Sequence, residues 1–150
     1  MSEDPTSRMD LYRLYLATAE KVSDRRALAN TWMLSVNSAI VGFYGYLAAG
    51  KTPLGEPGGG IWLLAIPAAG ILVCLAWAAL LASYSKLNGA KFKVLQEIEE
   101  GLPFPVFRRE QEVYRAAGRR SLSSVERLVP WCFAGLYGVL LVAAAAIAAR

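Results

Sequence analysis

Few side chains in this sequence have the chemistry that enzymes use. The chain of 150 residues contains no histidine, which excludes imidazole as an acid, a base or a metal ligand. Cys74 and Cys132 both lie in uncharged stretches and lack the spacing of a metal-binding pair. Glu97, Glu99 and Glu100 occupy near-consecutive positions that point in different directions on a helix, so they are interpreted as a solubilising helix end. We therefore expect a protein that is not an enzyme and that has no cofactor and no metal site.

The most suggestive polar residues form a stripe in the first uncharged stretch. They recur every three or four residues, so one helix face carries Thr31, Ser35, Ser38, Gly42 and Gly45. One hypothesis makes this face the lining of a water-filled or ion-conducting path. The other makes it a packing surface, because small residues let helix backbones approach and hydroxyl groups bond across the contact. Packing is the favoured interpretation.

Asn37 lies beside the stripe and is the residue most in need of an explanation. An amide near the middle of a bilayer requires a hydrogen-bonding partner, whether that partner is protein or water. If Asn37 faces an axis of an assembly it indicates a path, and if it faces a neighbouring helix it indicates packing.

Three long stretches without charge hold these residues. A helix needs roughly 20 residues to cross the hydrocarbon core of a bilayer. Each stretch exceeds that length, and the sequence predicts transmembrane spans over 27–49, 61–85 and 128–149. The composition agrees, because 55% apolar and 19% charged residues is too apolar for an ordinary soluble domain.

The remaining segments complete a single membrane domain. They are predicted as a cytoplasmic helix over 9–26, an external loop rich in glycine and proline over 50–60, and a cytoplasmic helical segment over 86–127. Of the 16 basic residues, five precede residue 27 and nine lie in 86–127. The positive-inside rule therefore places the amino-terminus in the cytoplasm and the carboxyl-terminus outside. This topology accounts for the net charge of +4, so no nucleic-acid partner is implied.

The second span continues into the cytoplasm as an amphipathic helix. Its apolar stripe needs a partner, either the 9–26 helix or another subunit, and the predicted oligomer contacts are Leu87, Val94, Leu95 and Ile98. Basic residues of the same region are candidates for a collar that binds lipid head groups or an anion: Lys86, Lys91, Lys93, Arg108 and Arg109. The predicted fold class is therefore an all-α integral membrane protein. Three transmembrane helices form it, two of them extend into a cytoplasmic helical collar, and the copies close into a homo-oligomeric ring.

Several short motifs together resemble a known bacterial family. The entry to the first span reads Arg-Arg-Ala-Leu-Ala-Asn from Arg25 to Asn30. A Ser-Tyr-x-x-Leu-Asn-x-Ala-Lys-Phe segment begins at Ser83, and Val-Pro-Trp from Val129 opens the third span. The pattern covers most of the chain and resembles the RipA-family octameric membrane proteins.

The resemblance implies an octameric homo-oligomer of the bacterial inner membrane without known catalytic chemistry. Its partners would be copies of itself and membrane lipids, and no other protein partner is indicated. The layout is also similar to small membrane-perforating effectors of bacterial conflict systems, an analogy of architecture alone. The expected function is a scaffold or organiser of the membrane. The alternative is a gated pore or channel, including an effector of a bacterial stress or defence response.

Overall fold

The fold is entirely helical in the part of the chain that the structure describes. A computed structural model describes residues 5–49, 60–102, 104–116 and 125–149. Within them, α1 spans Pro5–Ala48, α2 Gly60–Glu99, α3 Val106–Ala116 and α4 Val129–Ala148. These described residues contain no β-strand, as expected from a sequence without period-two alternation.

The first helix passes through two predicted segments without a break. α1 begins at Pro5, four residues before the predicted start at residue 9, and continues to Ala48. Its first half is highly charged and its second half carries no charge. We call residues 8–26 of α1 and 86–99 of α2 the polar halves of the two helices.

The second helix lies at the centre of the protein and contacts each of the other three. α1 and α2 are antiparallel, because Tyr12 contacts Glu99 near one end while Asn37 contacts Cys74 further along. α4 packs against the apolar part of α2, where Tyr137 lies over Gly70. Because Tyr137 lies near Gly70 and Phe133 near Trp77, α4 is also antiparallel to α2 and runs in the same direction as α1.

Two helices, α2 and α4, are long and apolar enough to cross a membrane. In their most apolar stretches only 22% and 11% of the residues are buried. A core helix of a soluble protein would bury most of such a stretch. The unburied faces of α2 and α4 therefore need lipid or another protein to cover them. α1 is not among these helices, because Asn30, Thr31 and Asn37 lower the hydropathy of its uncharged half. The span over 27–49 stays a prediction.

The connections lie largely outside the described residues. This applies to the predicted external loop over 50–60, except Gly60, and to 117–124 of the segment over 86–127. α2 ends at Glu99, two residues before Gly101. A turn follows in which the amide of Leu102 donates to the carbonyl oxygen of Glu99 at 2.9 Å.

Candidate functional site: two polar junctions between the helices

A junction of three helices surrounds Asn37. This residue is 0% exposed, and its amide nitrogen donates to the carbonyl oxygen of Met33 at 2.8 Å. Its side-chain oxygen accepts from the Cys74 thiol at 3.3 Å and lies 3.2 Å from the Tyr137 hydroxyl oxygen. The same hydroxyl lies 3.2 Å from the main-chain oxygen of Asn37. One amide therefore ties α1 to both α2 and α4.

Gly70 lets the ring of Tyr137 reach this junction. A Cβ atom at Gly70 would lie 2.6 Å from the Cζ atom of Tyr137, a distance that real contacts do not show. The ring packs directly on the α2 backbone, and Tyr137 is completely buried. A glycine at position 70 is therefore required for α4 to approach α2 this closely.

A second set of contacts joins the helices two turns away. The indole nitrogen of Trp77 donates to the Asn30 side-chain oxygen at 2.9 Å, and the Trp77 ring lies 6.4 Å from that of Phe133. The Arg26 guanidinium forms an ion pair with the Glu126 carboxylate at 2.8 Å. These contacts fix α1 and the start of α4 against the same side chain of α2.

An open cleft of about 170 Å³ lies at this level. It is lined by Asn30, Thr31, Leu34, Trp77, Glu126 and Val129. Its walls are mainly apolar, and its polar groups already have partners: Asn30 bonds to Trp77, Glu126 to Arg26, and Thr31 to the carbonyl oxygen of Ala27. The cleft therefore has the character of a surface groove between packed helices.

The second junction surrounds Glu99, at the far end of the polar halves. Its carboxylate accepts from the Tyr12 hydroxyl at 2.9 Å and from the amides of Phe107 and Arg108 at 2.8 and 3.3 Å. These amides belong to the first turn of α3, where free N–H groups and the helix dipole favour a negative charge. Only 2% of Glu99 is exposed, so the interpretation of this acid as a solubilising residue is wrong. It binds the start of α3 to α1 and α2.

Aromatic rings surround this carboxylate. Phe107 lies 6.4 Å from the ring of Tyr12 and 5.7 Å from that of Phe92. Burial, then the hydrogen bond to Glu99 and the negative charge of Glu99, raise the pKa of Tyr12 to about 12. The phenol therefore stays protonated and remains a donor to the carboxylate throughout the physiological range.

Further polar contacts fill the length between the two junctions. The Lys91 ammonium donates to the Thr18 hydroxyl at 3.0 Å and lies 5.0 Å from the centre of the Tyr15 ring. The Asn88 amide donates to the Ser23 hydroxyl at 3.5 Å. The polar halves of α1 and α2 are thus joined along their whole length.

The structure separates the predicted stripe from Asn37. Asn37 faces α2 and α4, whereas the stripe residues are exposed: Thr31, Ser35, Ser38, Gly42 and Gly45. The hydroxyls of Thr31 and Ser35 donate to carbonyl oxygens of their own helix at 3.1 and 3.0 Å. The stripe is therefore an exposed surface of the protomer, on which the hydroxyl groups of Thr31 and Ser35 already have partners.

The predicted contact and collar residues fall into inner and outer groups. Leu95 is 0% exposed and packs inside the protomer, whereas Val94 and Ile98 are half-buried and Leu87 is 45% exposed. Of the basic residues, Lys91 is held between α1 and α2. The other four are exposed: Lys86, Lys93, Arg108 and Arg109. Arg109 pairs with Glu112 at 3.0 Å on the outer surface of α3.

No cluster of three or more cysteine, aspartate or glutamate side chains with metal-binding geometry occurs among the described residues. The polar side chains of both junctions instead bond to one another and to the backbone. Their arrangement orients helices.

Comparison with known proteins decides the family. Residues 9–146 match the family described as Octameric membrane protein family (8xMP). The chain belongs to the octameric membrane protein family. This confirms the resemblance drawn from the sequence, and it establishes a membrane location and self-association for this octameric membrane protein. No curated protein and no solved structure matches the chain significantly.

Proposed function

We propose that this octameric membrane protein is a non-enzymatic scaffold or organiser of the bacterial cytoplasmic membrane. In this proposal its spans lie over 27–49, 61–85 and 128–149. The amino-terminus and the 86–127 segment lie in the cytoplasm, and the carboxyl-terminus lies outside. The bias of basic residues supports that orientation.

The observation that carries the scaffold role is the complete burial of Asn37. Its amide nitrogen and its oxygen both have partners within the protomer. A residue that lines a conducting path needs polar atoms that face water, and Asn37 has none to offer. The Asn37 side chain, which was the candidate marker of a conducting path, therefore acts in helix packing. This observation favours a structural role for the protein.

A gated pore is the second candidate, and the exposed stripe is the observation that favours it. Five small or hydroxyl-bearing residues face outward from α1 on one side. In an eight-membered ring this side faces a neighbouring copy, the surrounding lipid or the central axis. Contact with a neighbour agrees with the scaffold, and exposure to the axis agrees with the pore.

The exposed basic residues support an interaction with anionic lipid. Lys86 and Lys93 lie on the outer surface of α2, just beyond its uncharged stretch, at the depth of the proposed inner leaflet. Lys91 is less suited to this role, because its ammonium group already contacts Thr18 and Tyr15.

The two functions are distinguished by flux through the purified octamer in sealed liposomes. We expect no flux of ions or of a small dye across a range of voltage, pH and salt, with a pore-forming peptide added last as a positive control. Asn37→Leu and Ser35→Leu/Ser38→Leu would be measured beside the wild type. The pore would replace the scaffold as the proposed function under one result. In that result the wild type shows flux, and Ser35→Leu/Ser38→Leu abolishes the flux without changing the octamer mass.

A further inference from the structure

Two groups of apolar side chains are exposed in a region that a bilayer cannot cover. On α1 these are Leu11 and Leu14, and on α3 they are Val106, Val113 and Tyr114. Leu14, Val106 and Val113 are each more than half exposed. Exposed apolar residues in the uncharged parts of α2 and α4 are explained by lipid, whereas these five lie among the charges of α3 and of the polar half of α1. We name them the α1 patch and the α3 patch.

The lipid surface is too far away to cover the α1 patch and the α3 patch at the height where both begin. Leu14 precedes Arg26, the last charge before the uncharged half of α1, by 12 positions. At about 1.5 Å per residue, Leu14 lies roughly 18 Å along the helix from that boundary. The start of α3 is bonded to Glu99, at the level of Tyr12, and is equally distant. A protein surface is therefore the cover that these patches need.

Membership in an octameric family identifies that surface as a second copy, and the membrane restricts the symmetry. All copies of a membrane protein with one fixed orientation must be related by rotation about an axis along the membrane normal. A ring built in this way joins unlike faces, so each protomer needs two different contact surfaces. Rotation about that axis preserves height, so the two surfaces must also lie at the same level above the membrane.

The two patches meet both requirements. Phe107 at the start of α3 contacts Tyr12, and Leu14 follows Tyr12 by two positions, so both patches begin at the same height. Two positions correspond to about 200° around a helix, so Leu14 points away from the side of α1 that α3 occupies. The patches therefore begin at equal height and are two different surfaces of the protomer.

We propose that the α1 patch of each protomer packs against the α3 patch of the next protomer and that this contact closes the ring. The inference rests on the proposed membrane assembly with one common orientation. It also gives Glu99 a role in assembly, because its carboxylate holds α3 in the position that presents Val106 and Val113 to the neighbour.

Cysteine cross-linking of two differently tagged copies tests this contact. In a Cys132→Ser background, where only the buried Cys74 remains, one copy carries Leu14→Cys and the other Val106→Cys. With mild oxidation in native membranes, we expect cross-links between the two tags and none in membranes that contain either copy alone. A chain with both substitutions should give a ladder that ends at eight subunits.

Glu97→Cys is the matched control for Val106→Cys. Glu97 is exposed and lies on α2 at the height of Leu14, because the antiparallel pairing of Tyr12 with Glu99 aligns these positions. Leu14→Cys should cross-link to Glu97→Cys at least about tenfold less than to Val106→Cys, because proximity sets the effective concentration.

The possible results separate the contact from the assembly. Cross-links of Leu14→Cys with itself would mean that like faces meet, and would overturn the proposal. Absence of cross-links in particles that keep their octameric mass would place the interface elsewhere and leave the scaffold proposal intact. A wild-type protein that is monomeric in native membranes would overturn both the proposed contact and the scaffold proposal.

Discussion

At the scale of the residue, two buried polar side chains determine how the helices meet. Asn37 joins α1, α2 and α4, and Glu99 joins α1, α2 and α3. Apolar side chains alone allow helices to slide or rotate against each other, because dispersion is not directional. A buried amide or carboxylate with several partners permits one register, since any shift leaves polar atoms unpaired.

Gly70→Ala tests the close approach at the Asn37 junction. The added methyl group would overlap the Tyr137 ring, and the displaced hydroxyl would lose its contacts with Asn37. We expect the free energy of unfolding to fall by about 1–3 kcal/mol, the usual cost of overpacking. Thermal unfolding in detergent, followed by circular dichroism, measures the effect.

Gly89→Ala is the control in the same helix. A Cβ atom at Gly89 has nothing within 4 Å, so alanine should leave stability unchanged or raise it by up to about 1 kcal/mol. Equal melting temperatures for the two variants would contradict the packing described at Gly70.

Ionisation of Tyr12 is expected to lower the stability of the folded protein at alkaline pH. Its pKa of about 12 exceeds the value near 10 of an exposed tyrosine, so the folded protein holds this proton more tightly than the unfolded chain. The resulting stabilisation is complete below pH 10 and is lost as the pH rises towards 12. Tyr12→Phe should remove this part of the pH dependence, seen as the difference between wild-type and variant unfolding curves. A phenolate absorbance change assigned to Tyr12 near pH 10 would contradict it.

At the scale of the element, α2 is one continuous helix with an uncharged part suited to the bilayer and a polar half suited to water. Its first part presents apolar surface to lipid or to other helices, and its polar half contacts α1 through Lys91 and Asn88. No proline lies between Leu81 and Glu99, and the helix continues through Gly89. The two parts therefore belong to one unbroken helix.

Leu95→Ala and Leu87→Ala distinguish the inner from the outer surface of this helix. Leu95 is fully buried, so its truncation leaves a cavity and should cost about 2–5 kcal/mol. Leu87 is half exposed, and its truncation should cost less than about 1 kcal/mol. Melting temperatures and particle masses should be measured together. A larger loss of stability for Leu87→Ala would contradict the packing of α1 on α2.

At the scale of the whole molecule, the protomer is an open arrangement whose surfaces await partners. α2 and α4 leave most of their apolar residues incompletely buried, α1 exposes a stripe of small residues, and α1 and α3 expose apolar patches beyond the uncharged segments. A single protomer leaves these surfaces without protein partners of its own. In the proposed assembly, lipid covers the apolar helices and neighbouring copies cover the rest, which agrees with membership in an octameric family.

The proposed orientation is tested by labelling of single cysteines in intact and opened cells. In a Cys132→Ser background, Lys93→Cys should react with an impermeant maleimide only after the cytoplasm is opened. Gly60→Cys should react in intact cells, because it begins α2 at the opposite end of the proposed span. Reaction of both positions from the same side would contradict a span over 61–85.

The sequence by itself determined the class of protein. Three long uncharged stretches, the bias of basic residues and an unbroken second helix predict a helical membrane protein. They also predict a polar region in which α2 needs a partner. The need of Asn37 for a hydrogen-bonding partner follows from the same reasoning, because an amide in an apolar setting is costly when it is unpaired. These conclusions depend on composition and periodicity, which are local properties of the chain.

Only the tertiary structure decided which residues meet. Asn37 and Tyr137 are separated by 100 residues, and nothing in their spacing predicts that they share a hydrogen bond. The sequence misplaced Glu99 for the same reason, because its burial depends on α3 returning to cover it with two amides. Glu97, Glu99 and Glu100 look alike in the sequence, and long-range packing alone determines that one of them holds three helices together.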